Sequence, residues 1–175
     1  MFHLGNDQLS LTLLDPVTDA SRLGARYVSG CYVYQIEDTR LGPLFSGPVD
    51  PDDPPPVFDG QGIPEAFRYT VDPADGQGII FGNSIIADDG GARQKEVIER
   101  CRWRTDHQEV RLRMSTTHHF VDLSLNLHRE IALAGRQITS STRVQNNRFG
   151  AGAAAVVRPS LLPVARGWCL LPVLT

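Results

Sequence analysis

The residues best suited to chemistry fall in one stretch, where Asp122, Ser124, Asn126, His128 and Glu130 occupy every second position. That spacing puts all five on one face of a β-strand, and the row mixes hydrogen-bond donors with acceptors, as the hydroxyls of a sugar ring require. A solvated strand face gives the same alternation, so the row by itself marks a candidate. Arg129 stands among the intervening apolar positions, and a guanidinium on a dry face must be paired. It is either a member of a structural ion pair or a ligand to a sugar or phosphate oxygen. A second candidate is the run Phe58 to Arg68, where Gln61, Glu65 and Arg68 accompany glycines, a proline and two aromatic residues. The mixture suits stacking on a sugar ring and hydrogen-bonding it, and it equally suits a well-packed surface loop.

Other chemistries find little support. His118 and His119 are adjacent, so on a strand they face opposite ways, and with His107 and His128 they form no His-x-His or His-x-x-x-His pair for a metal. Cys31, Cys101 and Cys169 are odd in number and widely separated, which fits reduced thiols better than a disulfide framework or a zinc site. Gly76-x-Gly78 and Gly82 lack the strand-loop-helix setting of a phosphate-cradling loop, and no Gly-x-Ser-x-Gly nucleophile motif occurs. Neither a metal nor a cofactor is therefore expected.

The elements that must position these residues are strands. No helix-period apolar stripe of useful length occurs, whereas Val121, Leu123, Leu125, Leu127, Ile131 and Leu133 alternate with the polar row, predicting a long strand from Val121 to Leu133. Ala134-Gly135 offers a tight turn into a second strand, Arg136 to Val144, with Ile138, Ser140, Thr142 and Val144 on one face. Val97 to Trp103 and Val110 to Met114 read as two further strands joined near Thr105-Asp106-His107, giving a four-stranded antiparallel meander. Arg26 to Glu37 is rich in β-formers, while Gly42 to Gly62 holds most of the prolines, including Pro54-Pro55-Pro56, and is expected to be a long loop. The fold class is all-β.

Bulk properties narrow the partners. The 175 residues fit one domain, and a net charge of −3 with scattered arginines leaves no basic footprint for nucleic acid or an anionic membrane. The first residues show no cationic start with an apolar run behind it, and the most apolar stretch, Leu161 to Leu174, is broken by Pro163, Arg166 and Pro172. With the reduced thiols, this predicts a cytoplasmic protein.

The run His128-Arg129-Glu130-Ile131-Ala132-Leu133-Ala134-Gly135-Arg136-Gln137-Ile138 through Val144-Gln145-Asn146 resembles a recurrent stretch of the aldose 1-epimerase, or galactose mutarotase-like, family. There, an arginine-bearing strand, a one-glycine turn and a strand ending in Val-x-Asn precede the sugar site. Phe58 to Arg68 falls where those proteins carry the loop that closes on the sugar. The likeness spans roughly residues 10 to 147. It implies the N-terminal part of an antiparallel β-sandwich of galactose mutarotase-like type, with a sugar or sugar phosphate bound by Gln61, Glu65, Arg68, Asn126, His128 and Arg129. The reaction implied is interconversion of anomers, a base taking the C1 hydroxyl proton while an acid protonates the ring oxygen.

The family's acid and base have no counterpart here, His128 being the weak candidate for a catalytic group. Beyond Asn146 such relatives would read Trp-Phe-Ala-His-Pro-Phe-Phe-Pro, whereas this chain reads Val157-Arg158-Pro159-Ser160-Leu161-Leu162-Pro163. Codons TGG TTC GCC CAT CCC TTC TTC CCG, read two nucleotides later, encode that second string. The sequence thus predicts a mutarotase-like domain over residues 1–147 and an irregular tail over 148–175, which is either the product of an altered reading frame or the coil tail of a genuinely short protein. Expected consequences are a catalytically incomplete sugar-binding protein and self-association through an uncovered sheet. A non-catalytic β-domain with no sugar ligand remains the alternative.

Overall fold

The computed structural model describes residues 1–25, 27–45, 62–65, 70–72, 76–87, 96–121, 123–147 and the strand backbone at 154–157. These residues form antiparallel sheets with a single short helix, α1 (Ala20–Leu23), so the protein is all-β. The first sheet has the order β1-β2-β3-β4, from β1 (Phe2–Gly5), β2 (Leu9–Leu14), β3 (Tyr32–Asp38) and β4 (Gly42–Pro43). The second has the order β5-β6-β7-β8, from β5 (Thr70–Asp72), β6 (Gln77–Ile80), β7 (Ser84–Ala87) and β8 (Val97–Arg100). The third contains β9 (Arg104–Gln108), β10 (Arg111–Phe120), β11 (Leu123–Ala134), β12 (Gln137–Asn146) and β13 (Ala154–Val157), in the order β13-β12-β11-β10-β9.

One apolar core joins the first and third sheets. Leu4, Leu9, Leu11, Leu13, Val33 and Ile36 from the first meet Leu112, Met114, Ile131, Leu133 and Ile138 from the third. Val33 and Ile36 are an odd number of residues apart, so a regular strand would point them to opposite faces. A β-bulge resolves this: Gln35 pairs with Thr12 and Val33 with Leu13, leaving Tyr34 as the extra residue. Behind the first sheet, Leu14, Tyr32 and Tyr34 make a smaller cluster with Leu23 of α1. The two sheets are stitched at their ends by Asn6 Nδ2, which donates to Gly135 O at 2.8 Å, and by an Arg136–Asp38 ion pair. Asp38 also accepts from the Arg40 and Leu41 amides, closing the turn into β4.

The β11–β12 hairpin has the expected alternation, with Leu125, Leu127, Ile131, Leu133 and Ile138 buried. Gly135 is the first of two turn residues with φ 55, the position where a II′ hairpin turn favours glycine. Three expectations need correction. Val121 is 69% exposed with φ 51 and lies outside β11, because the chain reverses there between β10 and β11. Thr105-Asp106-His107 is not a connection but the middle of β9, an edge strand exposed along its length, and the turn into β10 falls at Glu109-Val110. Val97 to Trp103 does not precede β10 in a meander: Val97–Arg100 pairs with β7 in the second sheet. Within the segment expected to be an irregular tail, Ala154–Val157 pairs with β12, and 148–153 and 158–175 lie outside the described residues.

Candidate functional site

Side chains on the third sheet divide by parity. Even positions of β11 face away from the core, and the register brings matching rows from its neighbours to the same open face. One row is Asp106, Arg113, Glu130 and Ser141, and the next is Arg104, Ser115, His128 and Arg143. A third pairs Thr117, Asn126 and Gln145. The first two rows line a cleft of about 480 Å³.

Within the cleft, Arg113 forms an ion pair with Glu130, both partly open to solvent. His128 is exposed at the centre of the second row, between Ser115 on β10 and Arg143 on β12. Asn126 is half-buried, and its Oδ1 accepts from Thr117 Oγ1 at 2.8 Å. A surface of interleaved carboxylates, hydroxyls, an amide, an imidazole and guanidiniums can donate to and accept from a polyhydroxylated ligand.

Arg129 points the other way. Its guanidinium is buried and donates to Glu65, to the Gly30 carbonyl and, through Nε at 3.2 Å, to Thr142 Oγ1. Thr142 in turn donates to the other Glu65 oxygen at 2.9 Å. The charge that the dry face demanded is therefore supplied by Glu65, held in place where the Glu65 carbonyl accepts from the Val28 amide and Ile63 bridges Val33. Arg129 and Glu65 are brought together, but on the core side of the sheet and away from His128 and Asn126. Gln61, Arg68 and Asp122 lie outside the described residues.

The adjacent histidines also split. His119 is exposed, while His118 is buried with Nδ1 at 3.2 Å from Cys101 Sγ. Burial pushes the His118 pKa down to about 4, aided by neighbouring His119, and burial pushes the Cys101 thiol up to about 12. A neutral imidazole beside an undissociated thiol is a poor nucleophile pair, because the thiolate is the reactive form. Cys31 is likewise buried and pushed up to about 12 by desolvation. Among the described residues, no cluster of three or more His, Cys, Asp or Glu side chains could hold a metal ion.

The sequence reading missed Arg104, Asp106, Arg113, Ser115, Ser141 and Arg143. A signal for two of them was present: once Gly135 fixes a two-residue turn, counting back along both strands sets Arg143 opposite His128 and Ser141 opposite Glu130. Among the described residues no helix is long and apolar enough to cross a membrane. Compared with family models, with curated proteins and with solved structures, the chain matches none.

Proposed function

We propose that the protein is a carbohydrate-binding β-domain related to the aldose 1-epimerases, in the hexose mutarotase or sugar-phosphate epimerase class, with the sugar seated on the open face of the third sheet. The observation that carries this reading is the cleft of about 480 Å³ in which rows of alternating donors and acceptors surround His128. Its volume lies within the range of small-ligand sites.

Binding is better supported than turnover. Ring opening needs an acid and a base on opposite sides of the C1–O5 region, each worth roughly 10² to 10⁴-fold. Here His128, Glu130 and Asp106 all rise from the same sheet face, so none stands across a bound ring from another. Glu130 is moreover engaged with Arg113. Binding that favours the ground state as much as the transition state does not raise the rate of the chemical step.

Saturation-transfer NMR or calorimetry with glucose and galactose tests the reading. The expected result is saturable binding that His128→Ala weakens, with polarimetry on fresh α-D-glucose showing little acceleration over buffer. No saturable response to any hexose or hexose phosphate would overturn it in favour of a domain without a sugar ligand.

A further inference from the structure

The open face is sorted by charge along its strands. In the row through Arg113, one guanidinium meets two carboxylates, Glu130 as its ion-pair partner and Asp106 as its other cross-strand neighbour. In the next row, Arg104 on the edge strand β9 and Arg143 on β12 flank Ser115 and His128, with no carboxylate among the four and Val156 of β13 beyond Arg143. Among the described residues neither Arg104 nor Arg143 makes an ion pair, and both are exposed.

We infer that the row Arg104, Ser115, His128 and Arg143 is an anion-recognition subsite, so that the sugar taken by this cleft carries a phosphate or carboxylate group. This rests on the proposal that the open face binds sugar. Neutral hydroxyls are served by the mixed row of Asp106, Arg113, Glu130 and Ser141, and they do not call for two guanidiniums without a counter-charge. An anionic substituent does: a guanidinium offers paired N–H donors that match phosphate and carboxylate oxygens and stays charged at every working pH.

Neighbouring strands lie about 4.8 Å apart, which sets the Arg104 and Arg143 backbones about 14 Å from each other, with the other two residues between. That gap is short enough for two arginine side chains, turned inward on an anion, to meet above Ser115 and His128, whose hydroxyl and imidazole N–H would add donors from below. The mixed row lies two residues further along the strands, about 6.6 Å away. A pyranose over the mixed row therefore reaches the arginine row with a charged group on its exocyclic carbon.

The test is calorimetry on the full chain at low salt with glucose, glucose 6-phosphate, glucuronate and inorganic phosphate, repeated on Arg104→Gln, Arg143→Gln and the control Arg40→Gln. Glucose 6-phosphate or glucuronate should bind at least about tenfold tighter than glucose, as expected for added charge-assisted hydrogen bonds. Comparing the two identifies phosphate or carboxylate as the preferred group. Arg104→Gln and Arg143→Gln should each remove most of that advantage, weakening the charged sugars far more than glucose and leaving the melting temperature unchanged, and Arg40→Gln should do nothing. Added salt should weaken the anionic sugars selectively. Equal affinity for glucose and both charged sugars, or charged-sugar binding indifferent to both substitutions, would overturn the subsite and leave the sugar reading standing. Inorganic phosphate binding that both substitutions abolish, with no added affinity from any sugar, would support the anion row and overturn the sugar reading.

Discussion

Replacing Glu65 by alanine should cost more than replacing its buried partner. Arg129 has a side chain 4% exposed and Glu65 one that is 22% exposed. Breaking a buried ion pair from one side generally costs about 3–5 kcal/mol, because a charge is left without compensation. In Glu65→Ala the stranded group is the guanidinium, which keeps only Thr142 Oγ1 and the Gly30 carbonyl as acceptors. Those remaining acceptors and the partial exposure of Glu65 place the expected loss near the lower figure, about 3 kcal/mol. In Arg129→Met the stranded group is a carboxylate that water can reach and that still accepts from Thr142, so the loss should be about 1–2 kcal/mol. At roughly 2–4 °C per kcal/mol for a chain of this size, Glu65→Ala should melt about 6–12 °C below the parent. Urea titrations of both single variants and the double variant give the coupling directly, and the double should cost less than the sum of the singles. If Glu65→Ala costs under about 1 kcal/mol, or less than Arg129→Met, then the pair is not the buried tie between the 62–65 segment and β11 described above.

Three further outcomes are expected. His118 has its pKa depressed to about 4 by burial, so its neutral form stabilises the fold fully above the ordinary histidine value of 6.5, and that contribution is lost as pH falls from there through 4. Denaturant melts between pH 7 and 4 should show a decline on the order of 3 kcal/mol that His118→Phe largely flattens; an unchanged slope would exclude His118 as its source. Val121, β-branched and 69% exposed at φ 51, sits in a conformation that asparagine tolerates far better, so Val121→Asn should raise stability by about 0.5–1.5 kcal/mol, with a lower midpoint counting against that turn geometry. Gly82 has φ +70, and a Cβ there would lie 2.7 Å from Val28 Cγ1 and 2.8 Å from Leu127 Cδ2, so Gly82→Ala should destabilise by about 2–5 kcal/mol in urea melts; a neutral result would show that this contact relaxes freely.

What local alternation could specify, it specified well. Leu125, Leu127, Ile131 and Leu133 against the polar row fix both the strand and its faces, because a one-residue slip would exchange every side chain between core and solvent. Where alternation is absent the reading strayed. The sequence of β9, Arg-Thr-Asp-His-Gln, contains no apolar residue to mark an inward face, since as an exposed edge strand it buries none, and it reads like a turn. Val97–Arg100 carries a strand signal but nothing local that names its partner, and its pairing with β7 runs through a register shift between Ile85 and Ile86. The Tyr34 bulge similarly places Val33 and Ile36 on one face against the period of two.

The same division governs the site. His128, Arg129 and Glu130 are consecutive, yet the pleat sends the first and third to the open face and the second into the core. Parity therefore told the two environments apart, but it could not say what would meet Arg129, because Glu65 lies 64 residues away and nothing local selects it. Nor could it assign the opposed row, since Arg104 and Ser115 join His128 only after β9 and β10 take their registers. A consequence follows for variants of the buried pair. The segment carrying Glu65 grips the underside of the strand whose upper side presents His128 and Glu130, so loosening that grip frees the strand that anchors both polar rows. Substitutions at Glu65 should accordingly weaken ligand binding on the open face without touching the ligand, whereas Arg143→Gln should weaken binding of the charged sugars with the melting temperature unchanged. Measuring affinity and melting temperature together on those two variants separates support from contact.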